Sequence, residues 1–177
     1  TFLNLLSTLI PPTSGEIRIN DEPVNLKRHN LSYIFQEPSC IPWLTVDQNI
    51  RLGLETGRRK HLLKDPQTLA RIEELKNLTG LSEHGDAYPR NLSVSLQQLV
   101  VIARAFAITP DLLLMDEPYG QLDIKTRIAL ETELLKVWRT LHTTVLFITH
   151  NIEEAVFLAE RIIVLTQKPT RIKKEIH

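Results

Sequence analysis

A single cysteine, Cys40, in a chain of 177 residues leaves no route to an internal disulfide or a cysteine-rich metal site. That usage suits a reducing compartment. Net charge is missing as well: 21 Lys and Arg offset 21 Asp and Glu, so no global basic field points to nucleic acid. The basic residues near the end, Lys168, Arg171, Lys173 and Lys174, read as a solvated terminus rather than a binding patch. No hydrophobic run is long enough to cross a bilayer. The longest, near 99–108, is broken by Arg104 and falls short of the ~20 residues a span needs. Thr1-Phe2-Leu3 has neither the basic start nor the cleavage pattern of a signal peptide, and no internal repeat is evident. There is no initiator Met, so the sequence is expected to be a fragment.

What is present is an ordinary globular composition, 42% hydrophobic and 24% charged. It is enough for one domain with a real core, or a core plus a small subdomain. Phe2, Leu3, Leu5, Leu6, Leu9 and Ile10 keep helical spacing up to Pro11-Pro12. Ile17 and Ile19 alternate with polar neighbours as a short strand, and a second strand runs from Leu31 to Phe35. Residues 37 to 108 then show no strand pattern. Thr45-Val46-Asp47-Gln48 is a capping box, Asp65-Pro66 opens a second helix closed by Gly80, and a third starts near Ser93. Strand character returns at 112–115 and Val145–Thr149. Asp123 caps the helix between them, which offers Ile128, Leu134, Leu135 and Trp138 for burial. A helix from Asn151 and a strand from Arg161 follow. Alternating strands and helices imply a mostly parallel sheet, interrupted here by a helical block.

The most telling stretch is Asp111-Leu112-Leu113-Leu114-Met115-Asp116-Glu117-Pro118. Four apolar residues in a row read as a fully buried strand, with two carboxylates at its exit. Ligands of open α/β sheets bind beyond the carboxyl ends of the strands. Asp116 there suits a hard cation such as Mg²⁺, and Glu117 could polarise an attacking water. A polar turn closing a buried strand is the plainer alternative. Four other motifs bear on the choice: Phe35-Gln36-Glu37-Pro38, Leu92-Ser93-Val94-Ser95-Leu96-Gln97-Gln98, Gly120-Gln121-Leu122-Asp123, and Val145-Leu146-Phe147-Ile148-Thr149-His150.

Together, and in this order, these motifs resemble the nucleotide-binding subunit of an ATP-binding cassette (ABC) transporter, and the resemblance covers essentially the whole chain. It implies a P-loop NTPase (RecA-like) α/β fold, with a mostly parallel sheet core formed by 1–36 and 109–177 and a helical subdomain at 37–108. The ligands implied are ATP and Mg²⁺. Gln36 would be the Q-loop glutamine, near metal and water; Asp116 would hold Mg²⁺; Glu117 would be the catalytic glutamate. Asp123 would belong to the D-loop that reaches a second ATP-binding subunit, while also capping its own helix. His150 would be the switch histidine at the γ-phosphate, and Ser93 would lead the signature that faces the partner's nucleotide.

Two features depart from the family. No Gly-rich phosphate loop with its Lys occurs anywhere in the sequence. The opening helix resembles the one that follows that loop, so Thr1 would stand just after the Mg²⁺-binding Ser/Thr, and weak ATP binding is expected of the chain as given. The second departure is internal, because the signature glycines are replaced by Val94 and Ser95. Glycine allows close approach of backbone to ligand, and β-branched Val does not readily.

Glu37-Pro38-Ser39-Cys40-Ile41-Pro42-Trp43-Leu44-Thr45-Val46 resembles the Q-loop extension of nitrate, sulfonate and taurine importers, and Asn151-Ile152-Glu153-Glu154-Ala155-Val156 also resembles importer subunits. Trp43 could line the groove for a permease, or pack within the helical block. The resemblance implies an energy-coupling ATPase of a small-anion importer, peripheral on the cytoplasmic face of the membrane. Its partners would be a second ATP-binding subunit, transmembrane permease subunits and, indirectly, a solute-binding protein, with no nucleic acid. A degenerate cassette that no longer hydrolyses ATP is the alternative that Val94 and Ser95 motivate. A cassette ATPase of DNA repair fits less well, since the helical block carries no long coiled-coil or zinc-bearing insertion.

Overall fold

The computed structural model describes residues 2–120 and 122–177. The chain opens with helix α1 (Phe2–Leu6), which buries Leu3. The helix stops short of the expected end at the prolines, because Thr8 adopts a left-handed φ of 61° and turns the chain away, leaving Leu9 and Ile10 exposed. Next come β1 (Arg18–Ile19) and β2 (Glu22–Pro23), an antiparallel pair. Asn20 and Asp21 both have positive φ, the geometry of a tight two-residue hairpin turn that these residue types tolerate.

Strand β3 (Leu31–Ile34) leads into the helical block. Its first helix, α2 (Val46–Glu55), begins at the capping box read from sequence: Thr45 Oγ1 accepts from the Gln48 amide, and Gln48 Oε1 accepts from the Thr45 amide. Helix α3 (Pro66–Leu78) starts after its N-cap Asp65. It ends in a paired C-terminal motif in which Leu81 donates to the Lys76 carbonyl at 2.8 Å and Gly80 to the Asn77 carbonyl at 3.2 Å. Gly80, with φ of 66°, supplies the left-handed residue this ending requires. Helix α4 (Val94–Ala107) carries the apolar run seen in the sequence and buries nearly all of its second half. Three short 3₁₀ turns, Gly57–Lys64, Ser82–His84 and Pro89–Asn91, join these helices. No strand occurs among the described residues 37–108.

Strand β4 (Leu112–Asp116), helix α5 (Ile124–Leu141), strand β5 (Val145–Ile148) and helix α6 (Ile152–Leu158) complete the centre. The sheet is parallel, in spatial order β3-β4-β5, with Ile34 opposite Met115 and Asp116 opposite Ile148. One continuous core joins the helical block to the sheet, running from Ile34, Ile50 and Ile72 through Val100, Ile102 and Phe106 to Leu113, Met115, Leu134 and Val137. Gly53 is where α2 meets the end of α4: a Cβ there would lie 2.7 Å from Ile108 Cγ2. On α5 the buried stripe is Leu130, Leu134 and Val137, whereas Ile128 is 51% exposed. The stripe lies about half a turn from where Ile128 stands, so only part of the expected set is buried.

Strands β6 (Ile162–Leu165) and β7 (Ile172–Ile176) form a separate antiparallel pair, closed by Thr166, whose amide donates to the Arg171 carbonyl at 2.9 Å. The sequence pattern placed β6 with the other strands. Its observed partner is instead the neighbouring β7, and among the described residues β5 bonds to β4 alone. Lys173 and Lys174 sit on β7 and face solvent, in line with a solvated basic end. Among the described residues no helix is long and apolar enough to cross a membrane.

Candidate functional site

Parallel register delivers three strand ends to one edge of the sheet, where crevices of α/β folds bind ligands. Gln36 lies two residues beyond β3, Asp116 ends β4, and His150 lies two residues beyond β5. The buried residues Leu113, Leu114 and Met115 fix β4 from both faces, which sets where Asp116 emerges. Tyr33 on the adjacent strand donates its hydroxyl to Asp116 Oδ2 at 3.1 Å. Burial first, then the Asp116 charge and this hydrogen bond, push the Tyr33 phenol up to about 12. Tyr33 also stacks on Phe35, with ring centroids 4.3 Å apart.

Glu117 turns sharply out of the strand. Its amide donates to the Ile148 carbonyl at 2.9 Å, its carbonyl accepts from Gly120 at 3.1 Å, and its φ of 45° lies in the left-handed region. A non-glycine residue held there stores backbone strain, a feature that clusters at functional sites. The turn aims the carboxylate sideways at the next strand end, where Glu117 Oε2 lies 3.0 Å from His150 Nδ1. Gly120 leaves room for the convergence: a Cβ on it would lie 3.4 Å from Gln36 Nε2 and 3.7 Å from Glu117 Oε2. Gln36, Glu117 and His150 are thus gathered beside Asp116. The rear of this turn is tied to α4 by Gln98, which is buried and donates from Nε2 to the Pro118 carbonyl at 3.2 Å.

The other candidates stand apart from that cluster. Asp123 uses its carboxylate to cap α5, accepting the Lys125 and Thr126 amides at 3.1 Å each and the Thr126 hydroxyl at 2.6 Å. Those bonds, the Thr126 hydroxyl foremost, hold its carboxyl below the ordinary range. Ser93 caps α4, accepting the Leu96 amide at 3.2 Å, and its hydroxyl lies 2.9 Å from that of Ser95. Val94 projects from the same first turn, 54% exposed. Thr1 lies outside the described residues.

The segment after Gln36 is pinned in place. Arg104 donates to Ser39 Oγ at 2.7 Å, and the fully buried Asn49 bonds Ile41, Leu44 and Thr45 through its amide. With the loop held this way, Trp43 points outward and is 73% exposed. Packing within the helical block is therefore not its role.

The donors at the strand ends suit Mg²⁺. They are oxygens of a carboxylate and an amide, fitting a hard cation that keeps waters and takes phosphate oxygens. Among the described residues no cluster of three or more His, Cys, Asp or Glu could cage a metal alone. The Gly-rich loop and Lys that cradle a triphosphate in P-loop proteins do not occur in this sequence.

The sequence pattern described as ABC transporter matches residues 1–120, and the chain belongs to that family. A nitrate import ATP-binding protein of Synechocystis is 38% identical over 176 residues, covering 99% of this chain and 65% of the relative. An aliphatic sulfonates import ATP-binding protein of Bacillus subtilis is 39% identical over 174 residues, covering 98% and 66%. The chain spans just under two thirds of the length of these curated relatives. Among solved structures, a dimeric ATP-binding cassette bound to ADP and Pi in a post-hydrolysis state superposes with a TM-score of 0.74 at 30% identity, covering 99% of this chain and 78% of that one. The α/β fold with its parallel sheet is thus that of the ABC ATPases, as the motifs led us to expect.

Sequence reading missed Tyr33 and Gln98 as neighbours of the site. Tyr33 had a visible signal, since Tyr33 and Phe35 are two apart on a strand and must share a face. Gln98 closes the quoted signature segment, but its contact with Pro118 had no signal, because it joins residues 20 apart across separate elements.

Proposed function

We propose that this chain is the larger part of an ATP-binding and ATP-hydrolysing subunit that powers an ABC importer for a small anion of the nitrate, sulfonate or taurine kind. The observation that carries the proposal is the convergence of Gln36, Glu117 and His150 beside Asp116 at the ends of three parallel strands. The relatives named for nitrate and sulfonate import support the solute class.

In this assignment Asp116, oriented by Tyr33, holds Mg²⁺ with help from the Gln36 amide. Bound Mg²⁺ supplies charge neutralisation for phosphate oxygens. Glu117 accepts a hydrogen bond from the attacking water and orients it, and His150 faces the γ-phosphate from the adjacent strand end. We assign 1–36 and 109–177 to the ATPase core and 37–108 to a helical subdomain. Thr1 would stand next to a phosphate loop, a motif that this sequence does not contain. Asp123 and Ser93 act across a dimer, each toward the partner subunit. Trp43, held outward on a rigid loop, suits contact with a permease, since aromatics are favoured at interface cores. The subunit works at the cytoplasmic face of the membrane.

The test is to extend the chain upstream with a Gly-rich loop ending in Lys-Ser or Lys-Thr and to measure ATP hydrolysis with and without permease in proteoliposomes. Hydrolysis stimulated by permease supports the assignment; no ATP binding by the extended chain contradicts it. A non-hydrolysing cassette is favoured by one observation, the exposed Val94 side chain in the first turn of α4. In that case the extended chain binds ATP and dimerises without turnover.

A further inference from the structure

Behind the Glu117–His150 pair lies a buried group of charges that hydrolysis does not use. Glu131 of α5 and Glu154 of α6 are 4% and 3% exposed. A single arginine, Arg127, serves both: its Nε lies 3.7 Å from Glu131 Oε1 and 3.8 Å from Glu154 Oε1, while its Nη2 lies 3.7 Å from the solvent-facing Glu153. Tyr119 is wholly buried beside them, and its hydroxyl has no partner among the described residues. Burial first, then the charges of Glu131 and Glu154, raise its phenol above the ordinary value. Glu154 reaches toward the strand end as well. Thr149 donates its hydroxyl to Glu154 Oε2, and the same hydroxyl accepts the Asn151 amide at 2.9 Å.

Two buried carboxylates sharing one arginine are a poor way to gain stability, because taking charges out of water costs more than loose pairing returns. What such a group supplies is direction. Tyr119 stands two residues after Glu117, and Thr149 stands immediately before His150. The His150 side chain is 76% exposed, so no surrounding packing holds the ring against Glu117. Its aim must come from its backbone, and that backbone is fixed by the Thr149 hydroxyl.

We propose that Glu154, held by Arg127 beside Glu131 and Tyr119, is a positioning residue that locks the Thr149–Asn151 turn through the Thr149 hydroxyl and so keeps His150 Nδ1 facing Glu117. Its purpose rests on the function assigned above to Glu117 and His150; its geometry does not. With a carboxylate oxygen at 3.0 Å, and carboxylates acting only as acceptors, Nδ1 carries the proton. A free, solvated imidazole favours the proton on Nε2 instead, so the tautomer reports whether the ring is held.

The test is ¹⁵N NMR of the histidine side chains in the 177-residue chain at pH 8, with His150→Gln assigning the His150 signals. Thermal melts accompany each variant. The native chain should show the Nδ1–H form at His150. Thr149→Val and Glu154→Leu, each of which removes one partner of the Thr149–Glu154 hydrogen bond, should shift it to the Nε2–H form, and Thr149→Ser, which keeps the hydroxyl, should retain Nδ1–H. If Glu154→Leu does not fold, the Thr149 pair still decides, since Val differs from Thr mainly by the hydroxyl. Nδ1–H persisting in Thr149→Val overturns the proposal; so does its absence from the native chain or its loss in Thr149→Ser. No nucleotide enters the measurement. An intact tautomer pattern in the 177-residue chain, with no ATP hydrolysis by the chain extended with a phosphate loop, would therefore refute the function alone, and a lost pattern with hydrolysis preserved in the extended chain would refute the positioning role alone.

Discussion

Glu117 Oε2 and His150 Nδ1, carried on the ends of adjacent strands, lie 3.0 Å apart in an open setting, with side chains 32% and 76% exposed. Exposed pairs of this kind contribute about 0–1 kcal/mol, because water screens them and ordering two side chains costs entropy. The contact is therefore a poor stabiliser. His150→Ala should change unfolding free energy by no more than about 0.5 kcal/mol, the usual range for exposed positions. Chemical denaturation of the two chains checks this. A larger loss would mean the pair serves the fold rather than the chemistry.

Val94 and Ser95 stand at the first two helical positions of α4, after the Ser93 cap. Replacing both with Gly restores the close-approach backbone of the family signature and removes the exposed Val94 side chain. Each Gly costs at most about 1 kcal/mol of helix stability. In the chain extended by a phosphate loop, the double variant should hydrolyse ATP faster while melting at a lower temperature. One preorganised donor to a developing charge is worth about 10²–10³ in rate, which sets the upper scale of the gain. An unchanged rate would show that the substitution is not the defect.

Burial, and then the neighbouring Glu154 charge, raise the Glu131 carboxyl above its ordinary 4.5, outweighing Arg127. The folded chain thus binds this proton more tightly than the unfolded chain does. The associated stability is present in full below the unfolded value and is lost as pH rises through the folded one. Glu131→Gln mimics the protonated form. It should melt higher than the parent at pH 7, with the gap closing as pH falls toward 4.5. Melting curves across that window decide it, and a gap that widens on acidification would contradict the assigned sign.

Gly53 touches α4 so closely that Ala has no room, given Ile108 Cγ2 at 2.7 Å from the added Cβ. Gly53→Ala gains helix propensity, yet overpacking a rigid contact costs about 1–3 kcal/mol. A net destabilisation is expected, and Ile108→Ala, which removes Cγ2, should relieve the clash, so that the double variant loses less than the sum of the two single ones. Denaturant midpoints of the single and double variants measure both effects.

Much of the architecture was legible because it is local. The capping box at Thr45, the caps at Asp65, Ser93 and Asp123, and the Gly80 ending are each dictated by a few consecutive residues, and all form as read. The buried strand Leu112–Asp116 was equally plain. What escaped was non-local or depended on one dihedral angle. Thr8 ends α1 early through a left-handed φ that no composition rule demands, and β6 pairs with β7 through a turn organised by Thr166. At the site, Asp116, Glu117, Gln36 and His150 were named from motif and strand position. The Tyr33–Asp116, Gln98–Pro118 and Arg127–Glu154 contacts were not, since each joins residues at least 20 apart in sequence.

The central claim is that Glu117 orients the attacking water, and Glu117→Gln in the chain extended by a phosphate loop tests it most directly. Gln keeps the size and the hydrogen-bonding reach but loses the basic carboxylate. Provided the extended parent turns over, the variant should bind ATP with affinity close to the parent's and still dimerise, with hydrolysis lower by about 10²–10⁴, the usual contribution of a general base. Hydrolysis equal to the parent's, at equal ATP binding, would contradict the account.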